Sequence, residues 1–388
     1  MNFRFTGCRP LTREASCGKD TVQDNYALLI EDVREEYLST QQNHPWIVGF
    51  SGGKDSTLVA QAVFAAMMDI SPSRLTREVH VVANDTLVES PLVVAHLHQS
   101  LREMSDGARI HGLPVTVATT APDGAQTFWV LLIGKGYPSP NQQMRWCTDR
   151  LKIQPTSRYI RDQVVENGAA IILLGVRRDE SEVRRRRIDG YGNQRDSRLH
   201  PHNDLAGAHI YRPIVDLTTD EVWELLASHP PAWGGDNSRL IKLYRDAAGG
   251  ECPIVLSQDD APGCGTNSSR FGCWTCTVVE KDKSLQGFVD SGNAQYAPLI
   301  EFRDWLKTIR NDLSLRQGRR RSGKITVANG RLVPGPFTIA ARQMILARLR
   351  ETETAYGARL ISDAEIETIQ RIWAEDLIQQ NQKEYSLE

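Results

Sequence analysis

The 388-residue chain has no run of about 18 apolar residues, so the sequence offers no candidate for a membrane-spanning helix. Its opening, MNFRFTGCRPLTREASCGKD, holds no apolar stretch of signal-peptide length, and a cytoplasmic protein with no membrane partner is expected. Excess charge is almost missing too. At a net −2, bulk electrostatics selects no class of partner. No internal repeat or low-complexity segment occurs, which excludes a solenoid or a linker-rich chain. Cysteines number only seven, and without a secretion signal they argue for metal or redox chemistry over a disulfide framework.

What is present is ordinary globular composition, 40% hydrophobic and 24% charged, in a chain long enough for one large domain or two modest ones. Short apolar runs alternate with helical stretches between residues 45 and 176. Trp46 to Phe50, Glu78 to Ala83, Pro114 to Ala118 and Ala170 to Gly175 read as buried strands. Helices are expected from Thr57 to Ile70 and around Leu92 to Met104. Continuous β-branched runs separated by helices predict an α/β fold, a doubly wound parallel sheet with ligands beyond the C-terminal strand ends. Past residue 205 the texture changes. A short acidic helix is expected at 216–223, a Pro-, Gly- and Cys-rich loop region from about 230 to 280, and a mostly helical C-terminal extension with a Gly/Arg-rich interruption at 316–336. The expected organisation is an N-terminal segment (1–40), a nucleotide domain (41–230), a cysteine-rich region (231–297) and a helical region (298–388).

Between the first strand and the first helix stands Ser51-Gly52-Gly53-Lys54-Asp55-Ser56-Thr57. Two glycines permit a tight turn and close approach of backbone to a ligand. The N–H groups at a helix start, with their partial positive charge, suit an anion. Ser51 and Ser56 add hydroxyls, Lys54 a point charge, and Asp55 either holds Mg²⁺ or orients the loop. The spacing is not G-x-x-x-x-G-K-S/T, so the ordinary P-loop is excluded.

Cys264, Cys273 and Cys276 lie in Gly263-Cys264-Gly265 and Gly272-Cys273-Trp274-Thr275-Cys276. A C-x₂-C pair lets two thiolates meet one metal centre, and Cys264 is near enough to join. Cys147, in Arg145-Trp146-Cys147-Thr148-Asp149-Arg150, and Cys252 compete as the fourth ligand. Zn²⁺ and a 4Fe–4S cluster both accept four thiolates; a single C-x₂-C knuckle with a remote fourth ligand favours the cluster. Cys8 and Cys17 receive no role. Three arginine-rich patches, Arg177-Arg178, Arg184 to Arg187, and Arg316 with Arg319, Arg320, Arg321 and Lys324, point to a phosphate-rich partner.

The loop resembles the SGGxDS signature of the PP-loop ATP pyrophosphatases, whose members split ATP into AMP and pyrophosphate. Asn84-Asp85-Thr86 and Leu174-Gly175-Val176-Arg177-Arg178-Asp179-Glu180-Ser181 resemble further segments of the PAPS reductase-like branch, the latter its G-x-R-x-x-D/E-S element. With Arg145 to Lys152, Arg270 to Ser284 and Gly335-Pro336-Phe337-Thr338, the chain from about Pro45 to Phe337 is similar to the DndC/SspD-like sulfurtransferases of DNA phosphorothioation. That resemblance implies a PP-loop (HUP-type) fold and the replacement of a non-bridging oxygen of a DNA phosphate by sulfur, in antiphage defence. It implies Lys54, Asp55 and Arg177 in catalysis. ATP would be bound by residues 51–57, Asp85, Thr86, Gly175, Arg177 and Arg178. Mg²⁺ and a 4Fe–4S cluster on Cys147, Cys264, Cys273 and Cys276 are the implied cofactors. DNA, a cysteine desulfurase and other proteins of the phosphorothioation operon are the implied partners. A tRNA thiolation enzyme and an iron–sulfur nucleotide sensor on a DNA-bound complex are the alternatives. A true PAPS or APS reductase would need a catalytic cysteine on a C-terminal tail, and no cysteine follows Cys276.

Overall fold

The computed structural model describes residues 20–39, 43–180, 182–189, 198–248, 271–328 and 331–385. These pack as two compact units. The first takes the described residues up to Ala83, Leu97–Ala118 and Ile160–Leu240; the second takes Asn84–His96, Thr119–Tyr159 and the described residues from Ile241 on.

A six-stranded sheet runs in the order β3-β2-β1-β4-β6-β5, from β1 (Trp46–Gly49), β2 (Val79–Asn84), β3 (Val115–Thr120), β4 (Ala170–Leu173), β5 (Leu199–Pro201) and β6 (Ala208–Tyr211). β1 pairs in parallel with β2 and with β4, β4 pairs in parallel with β6, and β5 closes that edge antiparallel. Trp46, Ile47 and Val48 are all buried, as is every residue of β4. Each fully buried Val, Ile or Leu among them stabilises the fold by about 1.5–3 kcal/mol. This explains why the central strands read as unbroken apolar runs. Strand order reverses between β1 and β4, the position at which doubly wound sheets bind ligands.

Helices α1 (Asp20–Ser39), α2 (Lys54–Met68), α3 (Pro91–His111), α4 (Gln154–Asn167), α5 (Glu182–Asp189) and α6 (Thr219–Ser228) connect or cover the strands. In the first unit α1 and α6 both pack against α2. The acidic helix starts three residues later than expected, at Thr219, because Thr218 and Glu221 close a capping box: Thr218 Oγ1 accepts from Glu221 N–H and Glu221 Oε2 accepts from Thr218 N–H. α1, β5 and β6 were not foreseen. The strands are short and carry histidines, so no apolar run announces them.

The second unit is built on α7 (Ser238–Ala247), most of which belongs to it, and on α8 (Lys283–Asp290), α9 (Ala297–Ile309), α10 (Ile339–Tyr356) and α11 (Asp363–Tyr385). α7 replaces part of the expected loop region. The Gly/Arg-rich interruption forms an antiparallel pair, β7 (Thr326–Ala328) and β8 (Arg331–Val333). Phe128, Trp129, Ile133, Phe302, Leu306, Phe337, Ile345 and Ile369 form one core. The Trp129 and Trp373 indoles donate to Leu360 O and Ile133 O, which fixes their rings. Arg342, also buried, donates to Phe337 O, Gly134 O and Asp376, so its charge is paired within the core. No helix among the described residues is long and apolar enough to cross a membrane.

Candidate functional site: the phosphate loop and the cysteine group

In the first unit β1 leads directly into the 51–57 loop, and α2 begins at Lys54. Gly52 adopts φ 72°, the left-handed region that glycine enters without penalty. Gly53 is the N-cap and carries no side chain to occupy the helix start. The loop is tied to itself: Ser56 Oγ donates to Gly53 O at 3.0 Å, Thr57 Oγ1 to Gly53 O at 2.9 Å, and the Ser51 and Ser56 hydroxyls are 3.1 Å apart.

Asp55 is held from two sides. Arg177 Nε donates to its Oδ1 at 2.6 Å, and Lys54 Nζ to its Oδ2 at 2.9 Å. The carboxylate thus carries a cation on each oxygen. Arg177 is only 1% exposed, and its remaining donors reach Asp179, Leu217 O and Thr219 Oγ1. The resemblance implies that Arg177 contacts the nucleotide; here its guanidinium is engaged inside the protein and braces Asp55. Arg178, which the same resemblance gives to the nucleotide, donates through Nε to Asp189 and through Nη1 to Asp216. Gly175 lies against the loop itself. A Cβ there would stand 2.7 Å from Asp55 C and 2.9 Å from Ser56 N, so only glycine lets the end of β4 approach the loop this closely.

The second unit holds the Asp85-Thr86 segment and the described cysteines. Asp85 Oδ1 accepts from Leu87 N–H at 2.8 Å, and Leu87 takes φ 63°, a conformation rare for a bulky side chain. Residues 88–90 run antiparallel to 272–274, through Trp274 N–H to Val88 O and Ser90 N–H to Gly272 O. This places Thr86, fully buried, 3.3 Å from Cys273 Sγ. The resemblance gives Thr86 to the nucleotide; here its hydroxyl lies against the Cys273 thiol.

Cys147, Cys273 and Cys276 are all free thiols. Burial raises the Cys147 thiol pKa, and the nearby Cys276 adds to the effect. Cys273 is pushed up to about 12, first by burial, with Lys152 pulling back and Glu89 and Cys147 pushing further. Cys147 thus lies within electrostatic reach of both Cys273 and Cys276. No three His, Cys, Asp or Glu side chains among the described residues stand as a group able to hold a metal ion. Cys264 and Cys252 lie outside the described residues, as do Cys8 and Cys17. Lys152 Nζ contacts Glu89 at 3.2 Å. Burial opposes its charge, yet Cys273 and Glu89 hold its pKa above the usual value. Sequence reasoning singled out neither Glu89 nor Lys152. Lys152 stands five positions beyond Cys147, but only folding brings it to the Cys273 strand.

Of the basic patches, Arg185 and Arg186 pair with Glu182, while Arg316 and Arg321 are engaged within the second unit.

A doubly wound sheet with an anion-suited loop at its switch point defines an α/β nucleotide-type domain. More narrowly, the phosphoadenosine phosphosulfate reductase domain matches residues 45–279, over half of the chain, and the chain belongs to that family. An uncharacterized protein of Methanocaldococcus jannaschii is 26% identical over 236 residues, 61% of this chain but only 37% of that protein. Among solved structures, FMN adenylyltransferase of Candida glabrata superposes with a TM-score of 0.33 at 9% identity, over 60% of this chain and 63% of that one. The U34-tRNA thiolase NcsA of Methanococcus maripaludis, with its 4Fe–4S cluster, superposes at 0.32 and 11% identity, over 76% of this chain and 81% of that one. The chain thus spans less than two thirds of the archaeal relative and of the adenylyltransferase.

Proposed function

We propose that this chain is a PP-loop ATP pyrophosphatase that activates a DNA backbone phosphate by adenylation and replaces a non-bridging oxygen with sulfur. The observation that carries the reading is the loop after β1, whose uncapped helix start lies beside a lysine that Asp55 orients and Arg177 braces. A non-bridging phosphate oxygen attacks the α-phosphorus of ATP, and the bond to pyrophosphate breaks. Loop N–H groups and Lys54 would stabilise the departing charge, in the manner of preorganised donors. Sulfur at the hydrosulfide level then forms a P–S bond and AMP leaves with the former phosphate oxygen. Asp55 fixes where Lys54 points, and Gly175 lets the β4 end support the loop. A 4Fe–4S cluster on Cys147, Cys264, Cys273 and Cys276 would supply sulfur when bound, although the three described thiols do not stand together as a metal-holding group in this structure. A cysteine desulfurase would be the source of that sulfur, and other proteins of the same operon would work alongside.

The test incubates the purified chain with ATP labelled at the α- or γ-phosphate and resolves the products. AMP with pyrophosphate supports the reading; ADP with inorganic phosphate removes it. Mass spectrometry of DNA from cells expressing the chain with its neighbouring genes should then detect phosphorothioate dinucleotides. Thiolated tRNA without modified DNA would move the substrate to tRNA.

A further inference from the structure

Residues 313–337 contain six cations and no carboxylate, in a chain whose net charge is −2. Among the described side chains the structure divides five of these cations by task. Arg316 works inward: Nε donates to Gly335 O at 2.7 Å, Nη1 to Arg310 O at 2.9 Å, and the guanidinium stacks on Phe337 at 5.2 Å. Burial, with Arg320 adding, brings its pKa down to about 10. Arg321 is tied to Asp376 at 2.7 Å. Together these two arginines fasten the base of the β7–β8 pair.

Arg319, Arg320 and Lys324 do something else. All three are exposed, and none has a carboxylate partner among the described residues. On β7 and the residue before it, Ile325 and Val327 are 59% and 62% exposed. Two positions apart in extended backbone, they share one face. Exposed aliphatic side chains among uncompensated cations suit a polyanion that also offers apolar surface.

We infer that the β7–β8 pair is an arm that enters the major groove of duplex DNA, with Arg319, Arg320 and Lys324 on phosphates and Ile325 and Val327 against the groove wall. The inference rests on the reading of DNA as substrate and names the surface that would hold it. B-form DNA has a major groove about 12 Å wide that admits a two-stranded ribbon, whereas the deep, narrow major groove of A-form RNA does not. Two aliphatic side chains are too few to hold a lipid surface, and arginine is the side chain that matches phosphate oxygens with a planar fork.

The test is a titration of the full chain at several salt concentrations against a DNA duplex, an RNA duplex of the same sequence, and vesicles containing phosphatidylserine. Affinity for DNA should fall with salt. The triple variant Arg319→Gln, Arg320→Gln, Lys324→Gln should lower the log–log slope by up to about 2.7, from roughly 0.9 per phosphate contact. Restoring charge with Arg319→Lys and Arg320→Lys, Lys324 kept, should restore the slope, which a misfolded arm would not do. Val327→Ser should weaken DNA binding and leave the slope alone. An unchanged slope in the triple variant overturns the inference. Equal or tighter binding to the RNA duplex, or binding to vesicles, also overturns it. Pyrophosphate release by the wild-type chain is scored separately. If release occurs but the slope is insensitive, the arm is wrong and the enzyme reading stands; slope loss without release leaves the arm and removes the enzyme reading.

Discussion

Arg177 Nε lies 2.6 Å from Asp55 Oδ1, joining two segments 122 positions apart in sequence. Asp55 in turn accepts from Lys54 Nζ, so a buried guanidinium acts through a carboxylate on the lysine of the phosphate loop.

This chain of contacts predicts a graded response. Asp55→Ala should slow pyrophosphate release by at least about 10²-fold, the scale of losing one preorganised electrostatic group. Arg177→Met should destabilise the fold by about 3–5 kcal/mol, because it leaves a partly buried carboxylate short of its partner. In Arg177→Met combined with Asp55→Asn, part of that loss should return. Urea denaturation of the wild type, Arg177→Met, Asp55→Asn and the double variant measures the coupling; fully additive losses would mean that the two residues act independently.

The close approach of Gly175 to the loop gives a second prediction. Gly175→Ala places a methyl 2.7 Å from Asp55 C, and backbone must move. Overpacking of this kind costs about 1–3 kcal/mol. ATP should protect the variant from thermal unfolding less than it protects the wild type. Equal protection would show that the loop tolerates the displacement.

Anaerobically purified protein should carry about four irons per chain. Serine at Cys147, Cys264, Cys273 or Cys276 should bleach it, while serine at Cys8 or Cys17 should not. Stoichiometric zinc without iron would reject the cluster. Bleaching by Cys252→Ser but not Cys147→Ser would exchange the fourth ligand.

His80, buried within β2, gives a pH dependence. Burial holds its pKa below the ordinary 6.5, against the opposing pull of Glu78 and Glu166. As pH falls through that value the unfolded chain takes up a proton that the folded chain resists. Its contribution is whole above about 6.5 and declines below. His80→Leu should therefore lose less stability than the wild type on going from about pH 7.5 to about pH 5.5, measured by urea midpoints. Parallel losses in the two proteins would assign the acid sensitivity elsewhere.

The loop, β1 and the parallel sheet were legible because their signals are local: contiguous glycines, and unbroken apolar runs that record burial on both faces. β5, β6 and α7 were not. His200 and His209 interrupt any apolar pattern in the two strands, and α7 lies within a stretch whose glycines and prolines read as loop. Partnership was the least legible property. Arg177 and Arg178 sit together in a motif that suggests phosphate, yet Arg177 pairs with Asp55 and Arg178 with Asp189 and Asp216. Thr86 meets Cys273 across 187 positions, which no pattern of spacing could announce. Residue type indicated the kind of chemistry, and only the fold decided which group each charge would serve.

Asp376 accepts from Arg342 in the core and from Arg321 at the base of the β7–β8 pair. A single carboxylate therefore makes two hydrogen-exchange populations dependent on each other. Whenever the middle of α11 opens, Arg321 loses its anchor and the β7–β8 amides lose protection in the same event. Clamping the arm from outside should slow exchange in α11, so a ligand held at the surface would register as protection deep in the helical layer.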